Sequence, residues 1–203
     1  MRILVTGKNG QLATALSEAA ATDPERDLVA LGRETLDVGD AESVDRAVSK
    51  VAPDLIINAA AYTAVDKAET ERQEAFAVNE IGPRLLAGAA AKSGIPIIHV
   101  STDYVFDGDK SGSYLEDDPV APTGVYGASK RAGEIALAET NPKHLIFRTA
   151  WVYSATGHNF VKTMLRLAAD RDQLNVVDDQ HGNPSYAPHL AVAILSVART
   201  VLS

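Results

Sequence analysis

Short apolar runs rich in β-branched residues alternate along the chain with longer, alanine-rich amphipathic segments. The apolar runs predict five strands, over residues 2–6, 28–31, 54–58, 95–101 and 144–149. The segments between them predict helices over residues 11–21, 41–51, 73–92 and 125–139. Strands that are apolar on both sides and separated by helices are typical of a parallel sheet covered on both faces. The pattern therefore predicts an α/β fold with a doubly wound, Rossmann-like parallel sheet over residues 1–150.

Two stretches depart from this alternation. Residues 104–124 form a long irregular segment rich in Asp, Gly and Pro, and loops of this length in a compact domain usually carry function. After Thr149 the pattern predicts a loop over 151–159, a helix over 160–169, a short strand over 175–177 and a final helix over 188–202. We therefore expect a second, smaller region over residues 151–203.

The composition narrows the function classes. The 203 residues, 46% of them hydrophobic, are enough to bury one sizeable core. Lysine and arginine number 19 against 27 aspartates and glutamates, and the net charge of −8 argues against nucleic acid or an anionic membrane as the main partner. The absence of cysteine excludes disulfides, thiolate catalysis and cysteine-ligated metals. No apolar run suits a membrane span or a secretory signal, so we expect a cytoplasmic protein without membrane contact.

The histidines predict no metal site. The five of them, at positions 99, 144, 158, 181 and 189, include no pair at metal-ligand spacing. The acidic pair Asp178-Asp179 beside His181 fits a solvated turn better than a set of metal ligands.

A glycine-rich turn joins the first strand to the first helix. It follows the pattern Gly-x-x-Gly-x-x-Ala, which departs from the commonest dinucleotide fingerprint, Gly-x-Gly-x-x-Gly. Gly7 permits a tight turn, and Gly10 lets the backbone approach a pyrophosphate at the start of a helix. The alternative is an ordinary strand-to-helix turn. The candidate cofactor-binding residues of this turn are Gly7, Asn9, Gly10, Gln11 and Leu12.

The ends of the second and third strands offer further cofactor contacts. Arg33 stands where an NAD-specific site usually has an acidic residue, and its guanidinium suits a 2′-phosphate, so NADPH is favoured and NADH stays possible. The alternative for Arg33 is a solvated loop arginine. Asp37 and Val38 are placed near an adenine. Small residues after the third strand would let a flat ligand lie on the backbone. The alternative is that these small residues pack against a helix. The candidate segment is Ala59, Ala60, Ala61, Tyr62 and Thr63.

Tyr126 and Lys130 supply candidate acid–base chemistry. Their i,i+4 spacing puts both on one face of the predicted helix over 125–139. A tyrosine with a pKa near 10 is a poor acid at neutral pH, and a neighbouring ammonium is expected to lower that pKa. Thr102, at the end of the fourth strand, points into the same crevice and can donate a hydrogen bond to a substrate carbonyl. The alternatives are a chance Tyr-x-x-x-Lys match and a strand-capping hydroxyl.

These motifs resemble those of the extended short-chain dehydrogenases/reductases, and within them the family of dTDP-4-dehydrorhamnose reductases. The more specific strings are Gly-Lys-Asn-Gly-Gln at 7–11, Asn-Ala-Ala-Ala-Tyr-Thr-Ala-Val-Asp-Lys-Ala-Glu at 58–69, Ser-Thr-Asp-Tyr-Val-Phe-Asp-Gly at 101–108, Arg-Thr-Ala-Trp-Val-Tyr at 148–153, Asn-Phe at 159–160 and Val-Asp-Asp-Gln-His-Gly-Asn-Pro at 177–184. The resemblance extends over the whole sequence.

The resemblance implies hydride transfer from NAD(P)H to C4 of dTDP-4-dehydro-β-L-rhamnose, the last step of dTDP-L-rhamnose synthesis. It makes Tyr126 the proton donor, Lys130 its pKa-lowering partner and ribose anchor, and Thr102 a ligand of the C4 oxygen. It places the dTDP-sugar substrate against Thr102, Asp103, Tyr104, Trp151 and Asn159, beside residues 180–184.

The resemblance also implies that family members continue for roughly 80 to 90 residues beyond this sequence. We therefore expect residues 1–150 to be the dinucleotide-binding domain and residues 151–203 to be a partial C-terminal substrate-binding lobe, with intact cofactor binding and weaker turnover. The alternative function is a catalytically weak dinucleotide-binding or regulatory protein of the same fold. The sequence does not decide between a monomer and a homodimer.

Overall fold

A five-stranded parallel sheet organises the computed structural model, which describes residues 1–202 of the chain. The strands are β1 (Arg2–Thr6), β2 (Asp27–Leu31), β3 (Leu55–Asn58), β4 (Ile97–Thr102) and β5 (His144–Thr149), in the order β2-β1-β3-β4-β5. Every neighbouring pair is parallel. The strand order reverses between β1 and β3, and ligands of open α/β sheets bind at such a switch point, outside the carboxyl ends of the strands. The predicted doubly wound α/β fold is confirmed.

Helices cover both faces of the sheet. They are α1 (Gln11–Ala20), α2 (Ala41–Val51), α3 (Val65–Ala68), α4 (Arg72–Phe76), α5 (Gly82–Lys92), α6 (Val125–Thr140), α7 (Phe160–Asp170) and α8 (Ala187–Leu202). Alternate residues of β1 face opposite layers: Ile3 and Val5 pack with α1 and α8, whereas Leu4 packs with α2 and α5. Burial on both faces explains why the strands are almost wholly apolar. None of the helices over residues 1–202 is long and apolar enough to cross a membrane.

The long helix predicted over residues 73–92 is interrupted. The chain forms α4, then a π-helical turn over Ala77–Ile81, and only then α5. Pro83 has no N–H to donate to the carbonyl of Asn79, so the regular i to i−4 hydrogen bond cannot form there. The widened turn that results turns Asn79 inward, where it is buried.

The strand predicted over residues 175–177 is wrong. The described chain has no strand between α7 and residue 185, and Val176 and Val177 are exposed. A two-stranded parallel sheet forms instead from β6 (Val152–Tyr153), inside the stretch predicted as loop, and β7 (Ser185–Tyr186). Two neighbouring valines favour a strand locally, but these have no partner strand and no core to pack against, so propensity does not decide the outcome.

The last helix returns to the main sheet. Buried residues of α8, including Ala191, Ile194 and Leu195, join the core formed by α1 and β1. Helix α7 contributes no buried residue, and its Phe160 and Leu165 are exposed. The division into two parts at residue 150 stays a prediction, since α8 packs in the same core as the first strand.

A chain of buried polar side chains joins the carboxyl ends of β1 and β3 to the middle of β4. The backbone N–H of Ala60 donates to Thr6 Oγ1 (3.0 Å), which donates to Asn58 Oδ1 (2.6 Å). Asn58 Nδ2 in turn lies 3.0 Å from Nδ1 of His99, which is completely buried. Burial, together with the nearby charge of Lys130, holds the pKa of His99 well below its usual value of 6.5. The imidazole is therefore neutral, with Nδ1 accepting the hydrogen bond from Asn58.

We predict that this histidine makes the fold sensitive to mild acid. Below pH 6.5 His99 binds a proton in the unfolded chain but not in the folded chain, so the free energy of unfolding falls as the pH falls. One pH unit below 6.5, the loss is at most about 1.4 kcal/mol. Urea unfolding at pH 7, 6 and 5 measures it. His99→Gln should flatten the profile, whereas His144→Gln in β5 should keep it; equal slopes for both variants would contradict the assignment.

Candidate active site

The glycine turn after β1 forms a cradle that admits only backbone. Gly7 has a φ of +77°, and a Cβ there would lie 3.0 Å from the carbonyl oxygen of Ala59 and from Cα of Ala60. The N–H of Gly10 donates to the carbonyl of Gly7 (2.8 Å), which closes the turn. Gly10 is also the N-cap of α1 and offers no capping side chain. The first-turn N–H groups of α1 therefore suit an anionic group such as a pyrophosphate, and the turn fits a dinucleotide.

The side chain of Gln11 reaches across to the C-terminal region. Its Oε1 accepts from Ser154 Oγ (3.1 Å) and from Asn159 Nδ2 (2.9 Å), and its Nε2 donates to the carbonyl of Val152 (3.2 Å). Asn159 also caps α7, because its Oδ1 accepts from the N–H of Lys162 (3.0 Å). The structure thus brings together Gln11, predicted to contact cofactor, and Asn159, predicted to contact substrate. Because the side chain of Gln11 is engaged in these contacts, only the backbone of Gln11 can contact a pyrophosphate.

Arg33 lies at the end of β2 with 73% of its side chain exposed. Its Nε is 3.5 Å from Asp37 Oδ2, and its Nη1 is 3.7 Å from Glu74 Oε1 on α4. Exposed ion pairs of this length contribute little free energy, so the guanidinium can exchange its partners for a phosphate. Arg33 and Asp37 are adjacent, as the sequence predicts for an adenosine site, and Val38 is buried in the core that α2 and α5 form with the sheet. Sequence reasoning missed Glu74, which α4 brings to Arg33.

Asn79 clamps the small-residue segment onto α6. Its Oδ1 accepts from the N–H of Tyr62 (2.9 Å), while its Nδ2 donates to the carbonyl of Tyr62 (3.0 Å) and to Ser129 Oγ (3.0 Å). Segment 59–63 follows β3 directly, and Ala61 and Thr63 lie on either side of the clamped Tyr62. Sequence reasoning missed Asn79, although a polar residue four positions before a proline, inside a helical pattern, signals a local break.

Thr102 and Tyr126 meet at the carboxyl end of β4. Thr102 Oγ1 donates to Asp103 Oδ1 (3.1 Å) and accepts from the N–H of Tyr104 (3.2 Å). The rings of Tyr104 and Tyr126 pack edge to face with centroids 5.5 Å apart. A Cβ on Gly127 would lie 2.1 Å from the carbonyl oxygen of Tyr104, so α6 can approach this turn only because position 127 is glycine. The predicted neighbours Thr102, Asp103, Tyr104 and Tyr126 are therefore brought together.

Tyr126 and Lys130 of α6 both have strongly shifted pKa values. Burial raises the pKa of Tyr126 to about 12, with a hydrogen bond involving Thr102 opposing the rise and Asp103 adding to it. Burial lowers the pKa of Lys130 to about 8, and the charge of Glu134 opposes that fall. Lys130 Nζ donates to the carbonyl of Val100 (2.7 Å). The sequence predicts a lowered tyrosine pKa; the structure shows the opposite because desolvation dominates and the ammonium is engaged by a strand carbonyl.

Trp151 is held in an unusual backbone conformation beside residues 180–184. Its φ is +46°, a region that side-chain-bearing residues seldom adopt. The residue is 45% exposed, and its ring lies against Gly182, where a Cβ would be 2.9 Å from the indole Cε2. Its carbonyl accepts from the N–H of Ser185 at the start of β7 (3.2 Å). An exposed indole fixed in a strained turn offers a flat apolar surface to a ligand.

Glu69 caps the helix that carries Tyr126. The N-cap residue of α6, Gly124, has no side chain to cap with. Glu69, just after α3, fills this role, because its Oε1 accepts from the N–H of Val125 (2.8 Å). A carboxylate at a helix N-terminus satisfies an orphan N–H and opposes the helix dipole.

Over residues 1–202, no group of three or more His, Asp or Glu side chains is arranged to hold a metal ion.

The chain is similar to known reductases over its full length. Residues 1–203 match the family described as the RmlD substrate binding domain. A dTDP-4-dehydrorhamnose reductase of Sinorhizobium fredii is 54% identical over 203 residues, which are 100% of this chain and 68% of that protein. One from Escherichia coli K12 is 46% identical over 207 residues, covering 100% and 69%. The crystal structure of the Bacillus anthracis dTDP-4-dehydrorhamnose reductase in complex with NADP superposes with a TM-score of 0.95 at 42% identity, covering 99% and 71%.

We predict that Glu69→Ala destabilises the start of α6. Losing this cap should cost about 1 kcal/mol and raise the hydrogen-exchange rate of amides near residue 125 about fivefold. Hydrogen exchange followed by mass spectrometry measures it. Glu69→Gln keeps an accepting oxygen and should recover most of the protection. If alanine and glutamine behave alike, the carboxylate does not act as a cap.

Proposed function

This chain belongs to the family of the RmlD substrate binding domain, and we propose that it reduces the C4 keto group of dTDP-4-dehydro-β-L-rhamnose with NADPH to give dTDP-L-rhamnose. The observation that carries the proposal is the meeting of Thr102 and the half-buried Tyr126 at the end of β4, on the same sheet edge as the glycine cradle. A proton donor and a dinucleotide site on one edge are what carbonyl reduction requires.

The backbone around the switch point holds the cofactor. Gly7 and Gly10 leave room for the pyrophosphate at the start of α1, and the exposed Arg33 can exchange its two carboxylate partners for the adenosine 2′-phosphate. NADPH, when bound, supplies the hydride that reaches C4. The NADP complex of the B. anthracis relative supports this choice of cofactor.

Tyr126 supplies the proton. When the C4 carbon gains a hydride, its oxygen gains negative charge, and the phenol O–H transfers its proton there to complete the alcohol. A pKa of about 12 keeps the hydroxyl fully protonated at neutral pH, which is the form that can donate. Thr102 lies beside Tyr126 and can donate a hydrogen bond to the same oxygen.

Lys130 supports the tyrosine from one turn along α6. Once Tyr126 has donated, its phenolate needs a nearby positive charge, and the ammonium of Lys130 is the buried cation on the same helix face. The same ammonium can donate to ribose hydroxyls of the nucleotide. Because its pKa is about 8, Lys130 loses its positive charge as the pH rises through mildly alkaline values.

The sugar nucleotide is held from two sides. Asp103 and Tyr104 border the keto group beside Thr102, and burial raises the pKa of both side chains. Trp151 offers its exposed ring from the other side, next to residues 180–184. Asn159 completes this wall at the start of α7.

We expect Tyr126→Phe to lower kcat for NADPH-dependent reduction of dTDP-4-dehydrorhamnose by at least about 100-fold, because the transition state loses its proton donor. The Kd for NADPH should change less than about threefold, since the ring stays in place. Stopped-flow absorbance and fluorescence titration measure the two quantities. Tyr186→Phe removes the hydroxyl of a tyrosine to which the proposal gives no role and should behave as the wild type. A Tyr126→Phe enzyme that kept a tenth of its kcat would refute the assignment.

We expect Arg33→Ala to weaken NADPH and leave NADH nearly unchanged. A charge-assisted hydrogen bond to phosphate contributes about 1.5 to 3 kcal/mol, or one to two decades in Kd. Parallel fluorescence titrations with both nucleotides give the ratio. Arg26→Ala, at the opposite end of β2, is the matched control and should alter neither affinity. Equal losses for NADPH and NADH would show that Arg33 does not contact the 2′-phosphate.

A further inference from the structure

A column of stacked side chains links β5 to the irregular segment over residues 104–124, and the reduction described above does not use it. The guanidinium carbon of Arg148, on β5, lies 4.9 Å from the centre of the Phe106 ring. The Phe106 ring in turn stacks on the ring of Tyr114, with centroids 4.0 Å apart and an angle of 9° between the planes. Phe106 therefore contacts a guanidinium and a second ring at once.

The inner end of this column is fixed in the core. Glu134 of α6 is completely buried, and its carboxylate accepts from Arg148 Nε at Oε1 (2.9 Å) and from Arg148 Nη2 at Oε2 (2.8 Å). Arg131 donates to Oε2 as well (2.9 Å). A bidentate pair of this kind fixes the plane of the guanidinium. The core therefore sets the orientation of the group that Phe106 contacts.

The outer end of the column organises the irregular segment. Tyr114 donates from its hydroxyl to Asp107 Oδ1 (2.9 Å), and the same hydroxyl accepts from the N–H of Lys110 (3.3 Å). The ammonium of Lys110 lies 5.7 Å from the centre of the Tyr114 ring and is paired with Asp118. Asp118 Oδ2 also accepts from the N–H of Leu115 (2.7 Å). The segment is thus arranged around one tyrosine, which the column joins to the core.

Phe106 also closes the turn that carries residues proposed to meet the sugar. Its N–H donates to the carbonyl of Asp103 (2.9 Å), and the residue is only 7% exposed. Asp103 Oδ1 accepts from Thr102 Oγ1 (3.1 Å), and Tyr104 follows Asp103 in the same turn. Each step from Arg148 to Thr102 is therefore a direct contact or a covalent neighbour.

We propose that Arg148 is a positioning residue, which fixes Asp103 and Tyr104 for the keto sugar through the ring of Phe106. The inference rests on the proposed function, because it assigns Arg148 to the binding of that substrate. In the proposed reaction Arg148 touches no reacting atom. Planar groups prefer particular offsets and tilts when they stack, so the column transmits orientation where an ordinary apolar contact would supply only burial.

Arg148→Lys tests the inner end of the column. Lysine keeps the positive charge beside Glu134 but has no planar face and cannot form the bidentate pair. We expect the KM for dTDP-4-dehydrorhamnose to rise about tenfold and kcat to fall less than threefold, because Tyr126 stays in place on α6. The Kd for NADPH should change less than about twofold, because the glycine cradle and Arg33 are untouched. Steady-state kinetics and nicotinamide fluorescence measure these constants.

Arg131→Lys is the matched control for this substitution. It makes the same chemical change in the same ion cluster, at the guanidinium that binds Glu134 from within α6, and it leaves Arg148 stacked on Phe106. All three constants should stay within about twofold of the wild type. A KM that rises equally in Arg148→Lys and Arg131→Lys would assign the effect to the ion cluster and overturn the role of the column.

A pair of substitutions at the half-buried Tyr114 tests the outer end without disturbing the core. Tyr114→Leu removes the ring that stacks on Phe106, whereas Tyr114→Phe keeps the ring and removes only the hydroxyl. We expect the leucine variant to raise the KM for the keto sugar about fivefold and the phenylalanine variant to stay within about twofold of the wild type. If the two variants behave alike, the ring stack does not position the turn and the proposal is overturned.

Hydrogen exchange separates this inference from the proposed function, since it needs no sugar. The amide of Phe106 is protected by the carbonyl of Asp103. In Arg148→Lys and Tyr114→Leu it should exchange about tenfold faster, and in Arg131→Lys at the wild-type rate, as followed by mass spectrometry of peptides that contain this amide. An equal acceleration in the strands of the sheet would make Arg148 a general structural residue and overturn the proposal.

The two proposals can therefore fail separately. If the wild type binds NADPH but does not reduce the keto sugar, the proposed function fails, while the exchange rates still test whether the column holds the turn. If the wild type turns over, and either the KM or the exchange rate of the Phe106 amide in Arg148→Lys stays at its wild-type value, the Arg148 proposal alone is wrong.

Discussion

The placement of the active groups depends on how closely α6 can approach its neighbours. Two glycines of this helix lie against backbone carbonyls: a Cβ on Gly127 would be 2.1 Å from the oxygen of Tyr104, and one on Gly133 would be 1.9 Å from that of Asn79. No side chain fits at either position. This close packing seats Tyr126, Lys130 and Glu134 at their depth in the protein, and so it sets the desolvation that dominates their electrostatics.

The π-helical turn before α5 is the other half of this arrangement. Pro83 breaks the hydrogen-bond ladder, and the carbonyl of Asn79 then projects toward Gly133 while its amide side chain reaches Tyr62 and Ser129. One irregular turn thus joins the segment that follows β3 to α6, the helix that carries Tyr126. A regular helix over the same residues would present a different side chain and leave both contacts unmade.

The parts of the fold that can be predicted from the sequence are those that follow from the local periodicity of apolar residues. The strands of the sheet and the helices α1, α2 and α6 are recognisable because each alternates between a buried and an exposed environment at its own period. The glycine turn, Thr102, Tyr126 and Lys130 are predictable because each follows a strand at one sheet edge or shares one helix face. What sequence reasoning missed depends on long-range packing. Asn79 acts through a broken helix, the valines near residue 176 lack a partner strand, and the pKa of Tyr126 reflects burial, which no spacing reveals.

The contact between Gln11 and Asn159 has a consequence for how this protein can change. One amide on the first turn of α1 joins the nucleotide cradle to the residue that starts α7, so neither region can be altered without regard to the other. A substitution made in the cradle would also shift the start of α7, where we propose that the sugar binds. Exchanging the C-terminal region between relatives, as an engineer of sugar specificity would attempt, should therefore succeed most readily where the donor sequence pairs a glutamine with an asparagine at these two positions.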